Sequence, residues 1–379
     1  MTWRDPQAKR GSPWRTALGG ALLLFSMAGA VAPAPAGEPA PEVFRSVLEA
    51  LRTEARIPGL SVAVVRDHRV VFAEGLGRAD ADEPGPATAD TPYDIASVTK
   101  PISAVVALAL VEDGVLDLDR PLAGYSDWRE FCEEFSRQPS IFARDLRCEP
   151  AVHTLRHLLS HTAAGRPGER FSYNPVLYSW ASRPLMALTG TSFSTLVARH
   201  VFEPAGMSSS ARRHRDLPLP ALLARELAPP HSIDAAGVVV PSPALDPQGD
   251  GAAGGVISTV RDLARFDAAL DGGALITPAL RDAMMRPARS IGGAELPYGL
   301  GWFVQEHEGR KLVWHSGWWE DAYSALYLKV PDEGLTCILL ANSEGLWWEN
   351  PLDAAEVQRS PFARACLETW LGPAPGSGR

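Results

Sequence analysis

Residues 101–112, Pro-Ile-Ser-Ala-Val-Val-Ala-Leu-Ala-Leu-Val-Glu, are apolar with helical spacing and stop at Asp113-Gly114. A segment of this kind reads as a largely buried helix, and it requires other elements packed around it. Immediately ahead of it stands Ser97-Val98-Thr99-Lys100. A serine and a lysine at i and i+3 share one helical face, so the lysine nitrogen can reach the hydroxyl. Once burial or neighbouring positive charge depresses its pKa, a lysine amine can take the serine proton and leave a nucleophile. A helix start also leaves the Ser97 N–H unpaired and sets the positive end of the macrodipole where an oxyanion would form. Any S-x-x-K on an amphipathic helix matches by chance, so the chemistry has to be argued from the rest of the chain.

The chain has 379 residues, 46% of them hydrophobic, enough for a large core in one large domain or two intertwined lobes. Residues 1–36 carry Arg4, Lys9, Arg10 and Arg15, then an apolar run from Ala17 to Ala32, then Ala34-Pro35-Ala36. This is the pattern of a cleaved secretory signal, with an uncleaved membrane anchor as the alternative. The expected location is therefore periplasmic or secreted, with a mature N-terminus near Gly37 and no stable membrane insertion after cleavage. The net charge is −9, and losing the basic leader makes the chain more acidic still. An acidic exported chain is a poor ligand for nucleic acid or anionic lipid.

Residues 41–55 place Val43, Val47, Leu48 and Leu51 on one stripe, an amphipathic helix. Leu60–Val65 and Arg69–Phe72 are β-branched runs that read as a hairpin turning at Asp67-His68. From about 115 to 290 the chain offers short helical runs and few β-branched alternations. Strands return at Gly299–Val304, Lys311–Trp314, Ala322–Val330 and Leu335–Ala341, followed by a helix from Pro361 to Leu371 and a disordered tail over 372–379. The expectation is an α/β (α+β) fold in which both termini build one antiparallel sheet. That sheet lobe covers about 42–96 and 291–371, with a mainly helical lobe, about 97–290, inserted.

Cys132 and Cys148 flank a charged stretch within 126–150, a segment that reads as an added flap or surface loop; they are either a disulfide or two free thiols. Cys337, in an apolar strand, and Cys366, in the last helix, read as buried free thiols. His157 and His161 lie at i and i+4, but no Glu stands between them and no third ligand is in view, so they read as structural. No metal and no cofactor is expected. No G-x-S-x-G elbow occurs anywhere, which disfavours an α/β-hydrolase.

Two further stretches join Ser97 and Lys100: Phe171-Ser172-Tyr173-Asn174-Pro175 and Trp314-His315-Ser316-Gly317-Trp318-Trp319. Together they resemble the S-x-x-K, Y-x-N and K-T-G or H-x-G islands of the serine β-lactamase and penicillin-binding-protein superfamily, above all its class C branch with the related esterases and D-aminopeptidases. Ile57-Pro58-Gly59, Leu158-Leu159-Ser160-His161-Thr162, Ala253-Gly254-Gly255-Val256-Ile257-Ser258-Thr259 and Tyr298-Gly299-Leu300-Gly301-Trp302 resemble other recurrent segments of that family, in its order. The likeness runs from about 42 to 371. It implies that Ser97 is the acylated nucleophile, that Lys100 holds and relays its proton, and that Tyr173 is the partner base. Tyr173 would act as tyrosinate or through a shared Lys–Tyr proton. The oxyanion hole would be the backbone N–H groups of Ser97 and Trp318. Asn174, Pro175, His315, Ser316, Gly317 and Trp319 would bind substrate, with Gly317 letting it approach the strand closely. For His315 a satisfied strand-end histidine is an equal reading. The aromatic concentration of Trp302, Trp314, Trp318, Trp319, Trp347 and Trp348 suggests that Trp318 and Trp319 border the cleft.

The chain departs from the family pattern at one place. With Phe171 and Tyr178 setting the register, the Asn position of Y-x-N is Pro175; a shifted reading, Ser172-Tyr173-Asn174 as S-x-N, rescues an Asn but loses Tyr178. Proline offers no side-chain hydrogen bond. The resemblance and this departure together imply an exported serine hydrolase acting through a Ser97 acyl-enzyme, an esterase on small or apolar acyl esters. The alternatives are a D-Ala-D-Ala carboxypeptidase, a D-aminopeptidase, a β-lactamase, or a catalytically silent peptidoglycan-binding relative. The partner is a small-molecule ester or peptide, and the oligomeric state is left open.

Overall fold

The structure is a computed structural model that describes residues 41–371 except 82–84, 126, 150, 248 and 353, so the expected signal segment and tail lie outside the described residues. In chain order, the elements that position the site are helix α1 (Pro41–Glu54), strands β1 (Gly59–Arg66) and β2 (Arg69–Gly77), and helix α2 (Thr99–Glu112). Helices α3 (Trp128–Ser136), α4 (Leu155–Leu159), α5 (Pro175–Trp180) and α6 (Val260–Asp271) follow. Strands β3 (Phe303–His307), β4 (Arg310–Trp319), β5 (Tyr323–Val330) and β6 (Leu335–Ala341), then helix α7 (Pro361–Leu371), complete them.

The six strands form one antiparallel sheet in the order β2-β1-β6-β5-β4-β3. The β1–β2 hairpin turns on Asp67 and His68, both at positive φ (48° and 64°), which a two-residue turn matched to strand twist requires. β1 pairs with β6, Val62 opposite Leu339, so the two ends of the chain meet in the middle of the sheet. Alternation then assigns each residue a face. Ala63, Val65, Ile338 and Leu340 join the core under the helical part of the chain. Val62, Val64, Cys337 and Leu339 pack instead with Phe44 and Leu48 of α1 and with Phe362, Cys366 and Trp370 of α7. Covering both faces is what allows β5 and β6 to be mostly apolar and buried throughout.

Three expectations change. The buried stripe of α1 is Phe44 and Leu48 with Leu51 packed against them, while Val43 and Val47 are exposed. The larger ring sets the phase of the helix because Phe44 packs edge-on to both Phe72 and Trp370, at 5.3 and 5.6 Å between ring centres. Cys337 and Cys366 are not free thiols: their side chains meet on the α7 face of the sheet and form a disulfide. Cys132 and Cys148 are also paired, with Cα atoms 5.8 Å apart. Finally, the stretch around α3 is no loose flap. Trp128, Cys132, Phe135, Phe142 and Leu146 are buried in the main core, and the Asp145 carbonyl accepts the Gly165 N–H at 2.7 Å.

Helix α2 is buried continuously from Thr99 to Leu110, as its composition demands. Helix α6, N-capped by the Thr259 hydroxyl, packs on β1 and β6 and is tied to β5 by a buried cluster in which Lys329 and Tyr327 both bond to Asp267. Ser97 therefore sits at the end of the most enclosed helix, where it faces the sheet.

Candidate active site

Ser97 lies in a single 3₁₀ turn, Ala96–Val98, that leads directly into α2. The turn is held at a left-handed residue, Ala96 at φ 46°, by the Asp94 carboxylate, which accepts the Ala96 N–H at 2.8 Å. The same Asp94 oxygen accepts the Trp319 indole N–H at 2.8 Å, and the other is gripped by Arg213 at 2.7 and 3.1 Å. Among the described residues the Ser97 N–H meets no acceptor, so it is available to an oxyanion.

Lys100, in the first turn of α2, donates from Nζ to Ser97 Oγ at 2.7 Å and to the Ala253 carbonyl at 3.1 Å. It is fully buried, and burial pushes its pKa well below the ordinary lysine value. The Tyr178 hydroxyl donates to the Lys100 carbonyl at 2.9 Å and pins that turn. Tyr173 enters from the segment before α5. Its ring centre is 5.0 Å from Lys100 Nζ, and its phenol is raised by burial and drawn back by a hydrogen bond with Ser97. Both shifts favour the uncharged forms, a free amine and a neutral phenol, over the tyrosinate–ammonium pair.

Tyr173 rather than Ser172 thus reaches Ser97, and Tyr178 lies beneath it, which is the first of the two registers. Pro175 becomes the first residue of α5, a position where a missing N–H costs nothing. Asn174 does not face the site. It is buried, its Oδ1 caps α5 by accepting the Leu177 N–H at 3.0 Å, and its Nδ2 donates to the Phe142 carbonyl at 2.7 Å. Both polar atoms of its amide are used, which removes it from the expected substrate-binding set.

The third island also differs in detail. A Cβ built on Gly317 would stand 2.2 Å from the Ile95 carbonyl oxygen, so the space beside this glycine is occupied by the backbone ahead of Ser97 rather than by substrate. Only glycine lets β4 lie this close to the nucleophile's turn. Strand alternation puts His315, Gly317 and Trp319 on the Ser97 side of β4, and Ser316 and Trp318 on the reverse. The Trp318 ring accordingly lies against Trp347, with its indole N–H on Glu344 at 3.3 Å, and brings only its backbone to the Ser97 side; Ser316 is buried. His315 is buried, with Nε2 on the Tyr298 hydroxyl at 2.9 Å and Nδ1 on the Ser316 carbonyl at 2.7 Å. Burial, then the nearby Lys100, pushes its pKa well down, so it is a neutral, satisfied histidine that leaves no group for substrate. Trp319 stays partly exposed, its indole within van der Waals reach of Gly254, as an apolar wall beside the lysine's carbonyl partner.

His157 and His161 do not converge. His157 Nδ1 meets Thr154, whereas His161 Nδ1 accepts the Asn174 N–H at 3.0 Å. Sequence reasoning missed Asp94 and Arg213 altogether; an acid three residues before a candidate nucleophile is the only local hint, and Arg213 offers none.

The chain resembles several known proteins. The chain is 26% identical over 301 residues to penicillin-binding protein 4* of Bacillus subtilis (strain 168), covering 73% of this chain and 66% of that protein. It is 26% identical over 346 residues to a D-aminopeptidase of Brucella anthropi, covering 84% and 64%. The chain thus spans just under two thirds of the length of these curated relatives. Among solved structures, the octameric penicillin-binding protein homologue from Pyrococcus abyssi superposes with a TM-score of 0.70 at 23% identity over 89% of this chain and 78% of that one. The structure of EstCE1, a hydrolase with promiscuous acyltransferase activity, gives 0.65 at 18% over 86% and 99%. The sequence model of the Beta-lactamase family matches residues 44–359, and with the Ser97, Lys100 and Tyr173 arrangement in place the chain belongs to that family.

Proposed function

We propose that this chain is an exported serine hydrolase that forms an acyl-enzyme on Ser97 and turns over esters of small or apolar acyl groups. The observation that carries this reading is the 2.7 Å contact between the fully buried Lys100 Nζ, whose pKa burial pushes well down, and Ser97 Oγ. The amine takes the hydroxyl proton as Oγ attacks the acyl carbon, and the oxyanion settles on the N–H groups of Ser97 and Trp318. The proton then passes through Tyr173 to the departing alkoxide, the C–O bond breaks, and the acyl group stays on Ser97. Water repeats the sequence in reverse: its proton goes to the Tyr173–Lys100 pair, its oxygen bonds to the acyl carbon, and Ser97 Oγ leaves and is reprotonated.

Substrate class follows from which charges are spoken for. The positively chargeable groups described around Ser97 include Lys100, His161, His315 and Arg213; burial pushes the pKa of the first three well down, and the fourth is paired with Asp94. A substrate carboxylate would have to draw on groups that are buried or already paired, which disfavours it. Pro175 offers no partner to an amide side chain. Both points favour a neutral ester over a β-lactam or a D-Ala-D-Ala peptide, and the Trp319 wall favours an apolar acyl group. The second reading, cleavage of a neutral amide, is supported by the D-aminopeptidase relative and by the fold shared with a D-amino acid amidase from Ochrobactrum anthropi SV3, TM-score 0.66. Export rests on residues 1–36 alone; no described helix is long and apolar enough to cross a membrane.

The test is a fluorophosphonate labelling experiment with Ser97→Ala as control, followed by kcat/KM for short-chain aryl esters, a D-amino acid amide, a D-Ala-D-Ala peptide and a chromogenic cephalosporin. Labelling that needs Ser97 and an ester preference support the reading. Absence of labelling supports a silent binder, and a faster cephalosporin or peptide reaction replaces the ester assignment.

A further inference from the structure

We propose that His161 is the positioning residue that aims the Tyr173 phenol at Ser97, an inference that rests on Tyr173 being the proton carrier of the reaction proposed above. His161 follows the short helix α4 and grips the Tyr173 segment on both sides of that residue. Its carbonyl accepts the Ser172 N–H at 2.7 Å, and its Nδ1 accepts the Asn174 N–H at 3.0 Å. Tyr173 is thus suspended between two backbone bonds that end on a single neighbour. The imidazole also packs against the phenol ring in a tilted arrangement, 4.3 Å between centres at an interplanar angle of 40°.

The histidine is itself firmly held. Its N–H reaches back to the Leu158 carbonyl at 3.3 Å, and its backbone is left-handed, φ 54°, a conformation that non-glycine residues adopt only when their surroundings impose it. Because Nδ1 accepts a hydrogen bond, the ring is neutral with its proton on Nε2. Burial and the nearby Lys100 hold it in that form. Nε2 is buried with no acceptor among the described residues, enclosed by the rings of Tyr298, Tyr178 and Phe171. An N–H directed at aromatic faces gains little. What this position requires is therefore an acceptor at Nδ1, since a phenylalanine would fill the same aromatic pocket without one. Asparagine carries an acceptor at the equivalent place, Oδ1, and tolerates positive φ.

A misaimed phenol affects the chemical step rather than substrate binding, and a displacement near 1 Å costs ~10²-fold in rate. The experiment compares His161→Phe, His161→Asn and Tyr173→Phe with the wild type on an aryl ester. Active sites are counted by exhaustive fluorophosphonate titration, so that kcat is expressed per competent site and separated from KM. The expected result is that His161→Phe loses ~10²-fold in kcat per titrated site with KM within ~3-fold, and that His161→Asn recovers at least ~10-fold of that loss. If His161→Phe keeps its kcat per titrated site and merely has fewer sites, or if His161→Asn is no better than His161→Phe, the positioning role is overturned. Should His161→Phe fail to fold, His161→Gln, whose acceptor sits one bond further out, takes its place against His161→Asn under the same criteria. Tyr173→Phe separates the two layers of inference. If it retains wild-type kcat, the proton-carrier reading itself fails; if it is inactive while His161→Phe is not, only the role of His161 fails.

Discussion

Asp94 and Arg213 form a buried ion pair, 2.7 Å between Oδ2 and Nη2, whose acid also accepts the Ala96 N–H that shapes the nucleophile's turn. Its other donor, the Trp319 indole, makes one carboxylate the common anchor of the Ser97 turn and the end of β4. Replacing Asp94 by Ala leaves an uncompensated buried guanidinium and should cost ~3–5 kcal/mol of stability. Asp94→Asn, which keeps an acceptor for Ala96, should retain more activity per folded molecule than Asp94→Ala. Denaturant unfolding together with kcat per titrated site checks both statements.

Lys100→Met should abolish turnover by ~10³-fold or more while making the protein more stable at neutral pH. Burial depresses the folded pKa of Lys100 below its ordinary value of 10.5, so between the folded value and 10.5 the unfolded chain binds the extra proton. Stability of the wild type therefore rises with pH through that window. The melting temperature of Lys100→Met should exceed that of the wild type by a few degrees at pH 7, and the difference should shrink as the pH approaches 10.5. Calorimetry at several pH values reads this directly. The kcat/KM of the wild type should likewise have an ascending limb as Lys100 loses its proton.

Gly317→Ala forces a methyl group into the Ile95 carbonyl, 2.2 Å away, and β4 or the Ser97 turn has to move. The expected loss is ~10²-fold or more in kcat, because the two sides of the oxyanion site separate. Steady-state kinetics on an aryl ester, with circular dichroism as a folding control, measure it.

Pro175→Asn should raise the acylation rate with a chromogenic cephalosporin while leaving stability almost unchanged. The cap of α5 resides on Asn174 and is untouched, and Pro175 is only the first helical residue. Stopped-flow acylation rates for the variant and the wild type decide it; no gain in the variant removes Pro175 from the account of specificity.

Cys132→Ser/Cys148→Ser should lower stability by ~3 kcal/mol, the value expected for a closed loop of this size, and should also raise KM. The Phe142 carbonyl that holds Asn174, next to Tyr173, lies inside that loop. Thermal melts and ester kinetics on the double variant test the connection.

What could be read in advance was whatever the chemistry compresses into short spacings. Ser97 and Lys100 are three residues apart because one helical turn brings them together, and Tyr173 stands in a recognisable island. The sheet built from both ends was legible because its strands are β-branched runs bounded by turns. The anchor at Asp94 was not, since its partner Arg213 is 119 residues away and neither has a local pattern. The face of a residue was equally hidden. Gly317 looked like an opening for substrate until Ile95 was found against it, and Ser316 and Trp318 belong to the reverse of the strand. For Cys337 and Cys366 burial was expected, but their pairing depends on α7 crossing one particular face of β6. Phe44 took the buried position assumed for Val43 because packing volume, rather than the sum of apolar residues, sets the rotation of α1.

The pairing of β1 with β6 has a consequence for how the chain is made. During synthesis β1 and β2 emerge early, yet the inner edge of β1 stays an open row of backbone donors and acceptors until β6, the last described strand, has been translated. An edge of that kind invites pairing with another chain. Retarding factors such as a bound chaperone would therefore matter most for the first eighty residues, and a truncation that deletes β6 should yield inclusion bodies rather than a smaller soluble protein.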